Sequence, residues 1–384
     1  MEWLEFVIKP SNYISSLCYS VFRIEPFKTC SYACIYCYAR WYRGPHGAPA
    51  AKPWVPRLFE KLARKLPDDL PRPFFRLSTL SDPFQPVGGK VSGVVKDILR
   101  AALRHQVPLV VNTKGLVTRD SEALSLILSL ADHGLLLLQY TIGFGDGVAQ
   151  LLEPAAPPPT ERLLEAEQLS EQGVPIIVRV QPLIPGLEEE HLRAAEEALS
   201  HGAKGLIAEP IREIGNGLQM LYQVLGFNEP AGCWEPYQLG EEPGREPLLH
   251  PCPEWRLHVH EALASVAARH GAPYAACKDT ILAALPAAKW YRPGRTCCLE
   301  WLAYREEPLL RPTLHEYAYL GWPDKAPQQL CEELGPPYVC GEQLAKYPKP
   351  IRKGIQQHMR KLQTIIENKE KLRKMLERLG DLKD

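Results

Sequence analysis

Short continuous apolar runs alternate with longer stretches whose apolar residues recur every third or fourth position, and this alternation fills residues 21–208. The runs at 21–26, 74–78, 109–112, 135–142, 176–180 and 206–208 predict strands. The periodic stretches predict amphipathic helices. One covers 57–66, and the next carries Val91, Val94, Val95, Ile98, Leu99 and Leu103 on one face. Another spans 121–133 with Gly134 as its stop. A fourth is capped by Thr160 and ends at Gly173, and 188–201 is closed by Gly202. Strands alternating with helices at this pitch place the chain in the α/β class with a parallel sheet, most simply a partial (β/α)6 barrel.

Beyond residue 214 the pattern breaks. Residues 216–226 read as a last helix, 228–253 as a long loop dense in Pro, Gly and Glu, and 254–270 as a helix stopped by Gly271. The tail spaces Ile355, Leu362, Ile366, Leu372, Leu376 and Leu379 as one amphipathic helix over 351–382. From position 351 it carries ten Lys or Arg against five Asp or Glu. That excess is a solvated face or an arm for nucleic acid. Four segments result: an N-terminal piece (1–20), the barrel (21–227), a mostly helical Pro- and Cys-rich accessory region (228–350) and the basic helix (351–384). A chain of 384 residues accommodates this, since single cores stop growing efficiently at about 250–300 residues.

Composition changes little. A formal net charge of zero means that any electrostatic argument must be local. The first residues lack a basic segment followed by an apolar core, and no run approaches the roughly 18 apolar residues of a membrane span. A cytoplasmic location away from membranes is therefore expected. Eleven cysteines, an odd number, then point to reduced thiols and metal ligation rather than disulfides.

The chemistry concentrates in Cys30, Cys34 and Cys37, spaced C-x3-C-x2-C just after the first strand. A cubane cluster normally takes four thiolates, so three from one tight loop leave one iron open to a ligand. Structural zinc would instead require a second Cys pair downstream, which is absent. Other polar residues fall at strand carboxyl ends. Ser78, Thr79, Ser81 and Asp82 follow the second strand, and Thr113 and Lys114 the third; Thr141 ends the fourth, Arg179 and Gln181 the fifth, and Glu209 the sixth. Singly these are turn residues, a solvated lysine and an Arg179–Glu209 ion pair. Together they occupy the rim where barrel enzymes build active sites.

The cysteine spacing resembles the signature of radical S-adenosylmethionine enzymes. Phe27 to Cys30, Cys37 to Arg40, Ser78 to Pro86, Thr113-Lys114 and Glu153-Pro154 look like the spore photoproduct lyase-like branch, over about residues 20–212. The resemblance implies a [4Fe-4S] cluster on the three cysteines and S-adenosylmethionine chelating its open iron. Reductive cleavage would yield a 5′-deoxyadenosyl radical that abstracts hydrogen from a substrate, a nucleic-acid base in the first instance and a peptide or small molecule otherwise. A flavodoxin or ferredoxin would supply the electron. Lys114 could meet the cosubstrate carboxylate, Ser78, Thr79, Ser81 and Asp82 its ammonium, and Tyr36 its adenine, with Thr141, Arg179 and Gln181 lining the same rim. One position departs from the lyase pattern: Thr79 stands where the lyase carries a hydrogen-donating cysteine, so classical photoproduct repair is not expected. A non-catalytic iron–sulfur or zinc protein that binds nucleic acid is the alternative from another class.

Seven cysteines lie in the second half. Cys277, Cys297, Cys298, Cys331 and Cys340 could furnish a second metal site, or Cys277, beside Lys278, a donor thiol. Buried thiols acting as small hydrophobes are the default.

Overall fold

The computed structural model describes residues 16–40, 46–70, 72–237, 247–279, 281, 311–336, 338–370 and 372–373. Its centre is one all-parallel sheet. The strands are β1 (Arg23–Ile24), β2 (Phe75–Leu77), β3 (Leu109–Thr113), β4 (Leu136–Thr141), β5 (Ile176–Leu183), β6 (Leu206–Pro210) and, after the short strands β7 (Trp234–Pro236) and β8 (Leu249–Pro251), β9 (Tyr274–Ala276). They pair in the order β1-β2-β3-β4-β5-β6-β9. Val110, Val111, Leu136, Leu137, Leu138, Ile176, Ile177, Val178, Leu206 and Ile207 are all buried. Such runs suit strands covered on both faces.

Helices cover the outside: α1 (Val55–Ala63), α2 (Gly93–Arg104), α3 (Ser121–Asp132), α4 (Asp146–Leu152), α5 (Pro159–Glu171), α6 (Glu188–Ser200), α7 (Gly215–Val224) and α8 (Pro253–Arg269). Their starts are chemically marked. The Ser92 side chain accepts from the Val94 amide ahead of α2, and Asp120 accepts from the Glu122 and Ala123 amides ahead of α3. Thr160 does not cap α5, which begins one residue earlier at Pro159; its amide donates to Asp146 instead.

Three expectations change. The sheet has a seventh strand, β9, supplied by residues assigned to the accessory region and paired in register with β6 (Ile207 opposite Ala275). A three-residue run, Tyr274 to Ala276, is too short to register as a strand by pattern. The 228–253 loop contains an antiparallel pair, Glu235 opposite His250, joining β7 to β8. The tail helix, α12 (Lys349–Glu367), which follows α9 (Leu314–Tyr319), α10 (Pro327–Leu334) and α11 (Gly341–Ala345), breaks at Asn368; residues 369–370 and 372–373 are helical again, and those beyond 373 lie outside the described residues.

The second half packs onto the barrel. Ile351, Ile355 and Met359 of α12 share one apolar core with Tyr338, Val339, Leu344 and Tyr347, and that core is continuous with the sheet. Near helix α9 (Leu314–Tyr319), Arg311 donates to the Cys18 carbonyl and the Leu314 amide to the Ser16 carbonyl. Tyr19 and Tyr338 both bond Glu316. The segment entering β1 is thereby fastened to residues almost 300 positions away (|i−j| 297 for Tyr19 and Glu316). Among the described residues no helix is long and apolar enough to cross a membrane.

Candidate active site

The cysteine loop leaves β1 and is built by local bonds. The Cys37 amide donates to the Cys34 carbonyl (3.1 Å), and Ala33 takes a left-handed φ of 53° to turn the chain between the first two cysteines. Gln85, fully buried, clamps the loop from outside: its Oε1 accepts from the Ser31 amide (2.8 Å) and its Nε2 donates to the Thr29 carbonyl (3.0 Å). Tyr32 closes the same wall by donating to the Phe84 carbonyl. Gly115 lies so close beneath that a Cβ there would sit 2.6 Å from the Tyr32 hydroxyl and 2.9 Å from Phe84.

Cys30 and Cys34 are buried and Cys37 half-buried, within one cluster with Tyr32 and Tyr36. Burial pushes the Cys30 thiol up to about 11, with the Asp82 charge adding to it, and burial also lifts Cys34. Buried thiols of this kind ionise readily only against a metal. No three His, Cys, Asp or Glu side chains among the described residues are arranged around one metal ion. Three thiols on one loop, two of them buried, are a donor set that a cubane would use with each thiolate on a different iron.

Ser78 adds a second mark. At the carboxyl end of β2 it takes a left-handed φ of 59°, and its hydroxyl is buried with no hydrogen-bond partner. Backbone strain and an unsatisfied polar atom at one residue each cost stability, and they coincide where a ligand completes the site. Its neighbours are engaged. Glu25, at the end of β1, accepts from the Thr79 amide (2.7 Å), the Thr79 hydroxyl (2.5 Å), the Leu80 amide (3.0 Å) and, at 3.5 Å, the Ser81 hydroxyl. The Arg23 guanidinium donates to the same Thr79 hydroxyl. Both Asp82 oxygens are used, by Thr113 (2.8 Å) and Phe84 (2.9 Å) on one side and the Lys114 amide (2.6 Å) on the other. Asp82 therefore ties the loop after β2 to the loop after β3.

Lys114 faces Glu153 (3.7 Å) and lies over the Tyr36 ring (5.5 Å to its centre). Tyr36 donates its hydroxyl to Glu153, whose other oxygen pairs with Arg162 at 2.5 Å. Against the cost of burial, Arg162 and Lys114 hold Glu153 below the usual carboxylate range, and Glu153 keeps Lys114 charged. Arg162 also donates to the Thr141 carbonyl, fixing the end of β4.

A separate group lines the β5, β6 and β9 side. Arg179 donates to Gln181 (2.5 Å), Gln139 (3.3 Å) and Glu209 (3.1 Å), and lies 3.6 Å from the Cys277 sulfur. Glu209 also meets Arg212 and Lys278. Cys277 follows β9 directly and is buried. Arg40, closing the cysteine loop, pairs with Glu213 beyond β6, so the loop spans the mouth from the first strand to the sixth.

Thus the expected rim residues lie at the strand carboxyl ends, but in two groups: Tyr36 and Lys114 beside the cysteines with Ser78 at the end of β2, and Arg179, Gln181 and Cys277 on the β5, β6 and β9 side. Of the five candidates for a second metal set, Cys331 and Cys340 are disulfide-bonded to each other, as Cys233 is to Cys252; Cys277 is in no disulfide, and Cys297 and Cys298 lie outside the described residues. The expectation of reduced thiols throughout fails because pairing depends on register: the β7–β8 ladder sets Cys233 beside Cys252, whose amide donates to the Cys233 carbonyl. Glu25, Gln85, Arg162 and Arg212 are functional-site residues that the sequence pattern does not mark, and Lys278 is marked only as the neighbour of Cys277. Glu25 and Lys278 sit just past strand ends, the same signal that marked the others.

No protein-family model matches the chain. It is 25% identical over 232 residues to an uncharacterised protein of Acidianus two-tailed virus, covering 56% of this chain and 72% of that one. Its fold is that of spore photoproduct lyase. A cysteine-to-serine variant of that enzyme superposes with a TM-score of 0.54 at 15% identity, covering 68% of this chain and 78% of the lyase. A variant with bound S-adenosylmethionine and dinucleoside spore photoproduct gives 0.52, also at 15%, covering 69% and 79%.

Proposed function

We propose that this chain is a radical S-adenosylmethionine enzyme acting in the cytoplasm. The carrying observation is that Cys30 and Cys34 are buried on one loop with Cys37 and Tyr36, while the Ser78 hydroxyl at the carboxyl end of β2 is buried and unpartnered. The lyase fold and the cysteine spacing support the same reading. The three cysteines would hold a [4Fe-4S] cluster, with a flavodoxin or ferredoxin as electron donor. When bound, the cluster supplies the electron that splits S-adenosylmethionine to methionine and a 5′-deoxyadenosyl radical.

The remaining roles belong to the chain. Lys114, kept charged by Glu153, offers the cosubstrate carboxylate a cation, and Ser78 offers a hydroxyl that the protein does not use. The Tyr36 hydroxyl is committed to Glu153 and its ring lies under Lys114, so Tyr36 positions these charges. Thr79 is tied to Glu25 and Arg23 and offers no thiol. The reaction therefore ends otherwise than in the lyase, and Cys277, buried beside Arg179, takes the place of hydrogen donor. A nucleic-acid base fits the lyase that binds a dinucleoside photoproduct.

The test is anaerobic reconstitution with iron and sulfide, then dithionite and S-adenosylmethionine, with 5′-deoxyadenosine as the readout. Formation by the wild type and none by Cys34→Ala is expected. A fully loaded protein that forms no more than Cys34→Ala would instead be a non-catalytic cluster protein. For Cys277, product formed in heavy water should carry solvent deuterium in the wild type and not in Cys277→Ala; equal labelling removes the donor role.

A further inference from the structure

Charge is unequal across the mouth. Glu209 is buried and both its oxygens are occupied: Oε1 by Arg212 (2.5 Å) and Lys278 (3.1 Å), Oε2 by Arg179 (3.1 Å). Three cations share one carboxylate, an excess of two positive charges in this layer. Behind it, Asp279 and Glu235 share Arg256, and His260 and His250 bond to them. That deeper layer is almost wholly buried, its side chains 1–6% exposed, whereas Lys278 and Arg212 remain 21% and 16% exposed. A ligand in the mouth therefore meets the cationic layer first.

The layer is also built. Lys278 takes a left-handed φ of 53°, Arg212 donates to the Lys278 carbonyl (2.8 Å) and stacks on Tyr237 (4.4 Å to the ring centre). Arg212 Nε is still without an acceptor. Uncompensated positive charge in a partly desolvated site costs free energy that a bound anion recovers.

We propose that Lys278 and Arg212 form an oxyanion subsite that takes a terminal phosphate monoester of the substrate, seating it beside the Cys277 thiol. This rests on the enzyme reading for the word substrate, but the subsite itself is defined by charge. A monoester dianion brings two charges to the front layer's excess of two, while the deeper layer's net single negative charge (Asp279 and Glu235 against Arg256) stands behind Glu209; a diester or a single carboxylate brings one charge fewer to Lys278 and Arg212.

The test is calorimetric titration of the iron-loaded full-length protein with thymidine 5′-monophosphate, with the dinucleoside diester of thymidine and with acetate. The monophosphate should bind about tenfold more tightly than either of the others. Its affinity should fall as pH drops through about 6, where the phosphate loses its second charge. Lys278→Gln and Arg212→Gln should each weaken it about tenfold or more. Lys278→Gln, the more exposed position, carries the test alone if Arg212→Gln does not fold. Diester binding as tight as the monoester, acetate binding as tight, no binding, or a folded Lys278→Gln with unchanged affinity overturns the assignment. If these fail while the wild type still forms 5′-deoxyadenosine, only the subsite falls. If phosphate binds but no 5′-deoxyadenosine forms, only the enzyme reading falls.

Discussion

Arg40 reaches Glu213 at 2.5 Å across 173 residues of chain, pinning the end of the cysteine loop to the segment that leaves the sixth strand. Glu213 is 1% exposed and bonds the Ile214 amide as well; a Cβ at Gly217 would fall 2.4 Å from its carboxyl group. Removing Arg40 strands a buried carboxylate. Arg40→Ala should lower unfolding free energy by about 3 kcal/mol, the low end for a broken buried pair because Arg40 is itself partly exposed. Denaturant titration checks this, and Glu213→Gln should cost less. Equal stability of Arg40→Ala and wild type would mean that the pair does not bind the loop to the barrel.

Ser78 makes a prediction of opposite signs. Its hydroxyl is buried and unpartnered, so Ser78→Ala should leave the cofactor-free protein as stable or more stable, by about 1 kcal/mol. The same change should weaken S-adenosylmethionine binding in the iron-loaded protein. A loss of stability without loss of binding would show that Ser78 serves the fold alone.

Gly115→Ala forces a methyl against backbone and side chain of Phe84 and the Tyr32 hydroxyl. Overpacking of this kind costs about 1–3 kcal/mol. Here the displaced groups also hold the cysteine loop, so iron content after reconstitution should fall together with the melting temperature. Gly88→Ala is no clean control, since its φ of 60° strains any side chain; Gly93, whose Cβ would meet nothing within 4 Å, is one.

Two buried histidines set the acid limit. Burial lowers His250 from 6.5 to about 4 despite its bond to Glu235, with Arg256 and Arg212 also opposing its charge and Asp279 favouring it. Burial likewise lowers His315 to about 4. Both stay neutral in the folded chain while the unfolded chain protonates them below about 6.5. Stability from each is therefore present above pH 6.5 and is lost as pH falls toward 4, on the order of 3 kcal/mol apiece. Guanidinium midpoints at pH 7, 6, 5 and 4.5 should decline steadily, and the His250→Gln, His315→Gln double variant should decline less. A flat midpoint over that range contradicts the neutral assignment.

The sequence by itself determined what is local and periodic. Apolar runs and helical spacing placed six strands and their helices, the spacing of Cys30, Cys34 and Cys37 marked one tight loop, and polar residues at strand ends marked the rim. Each depends on neighbours within a few residues, which is where backbone periodicity and turn chemistry act. Tertiary structure alone decided the rest. Tyr274 to Ala276 became a seventh strand because β6 offered an edge, and Cys331 met Cys340 instead of a metal because the fold between them brought the pair together. Glu25 took Thr79, and Glu209 drew three cations, because a parallel sheet gathers strand ends far apart in sequence onto one mouth. The partner of a buried charge is set by that convergence, and a linear pattern does not record it.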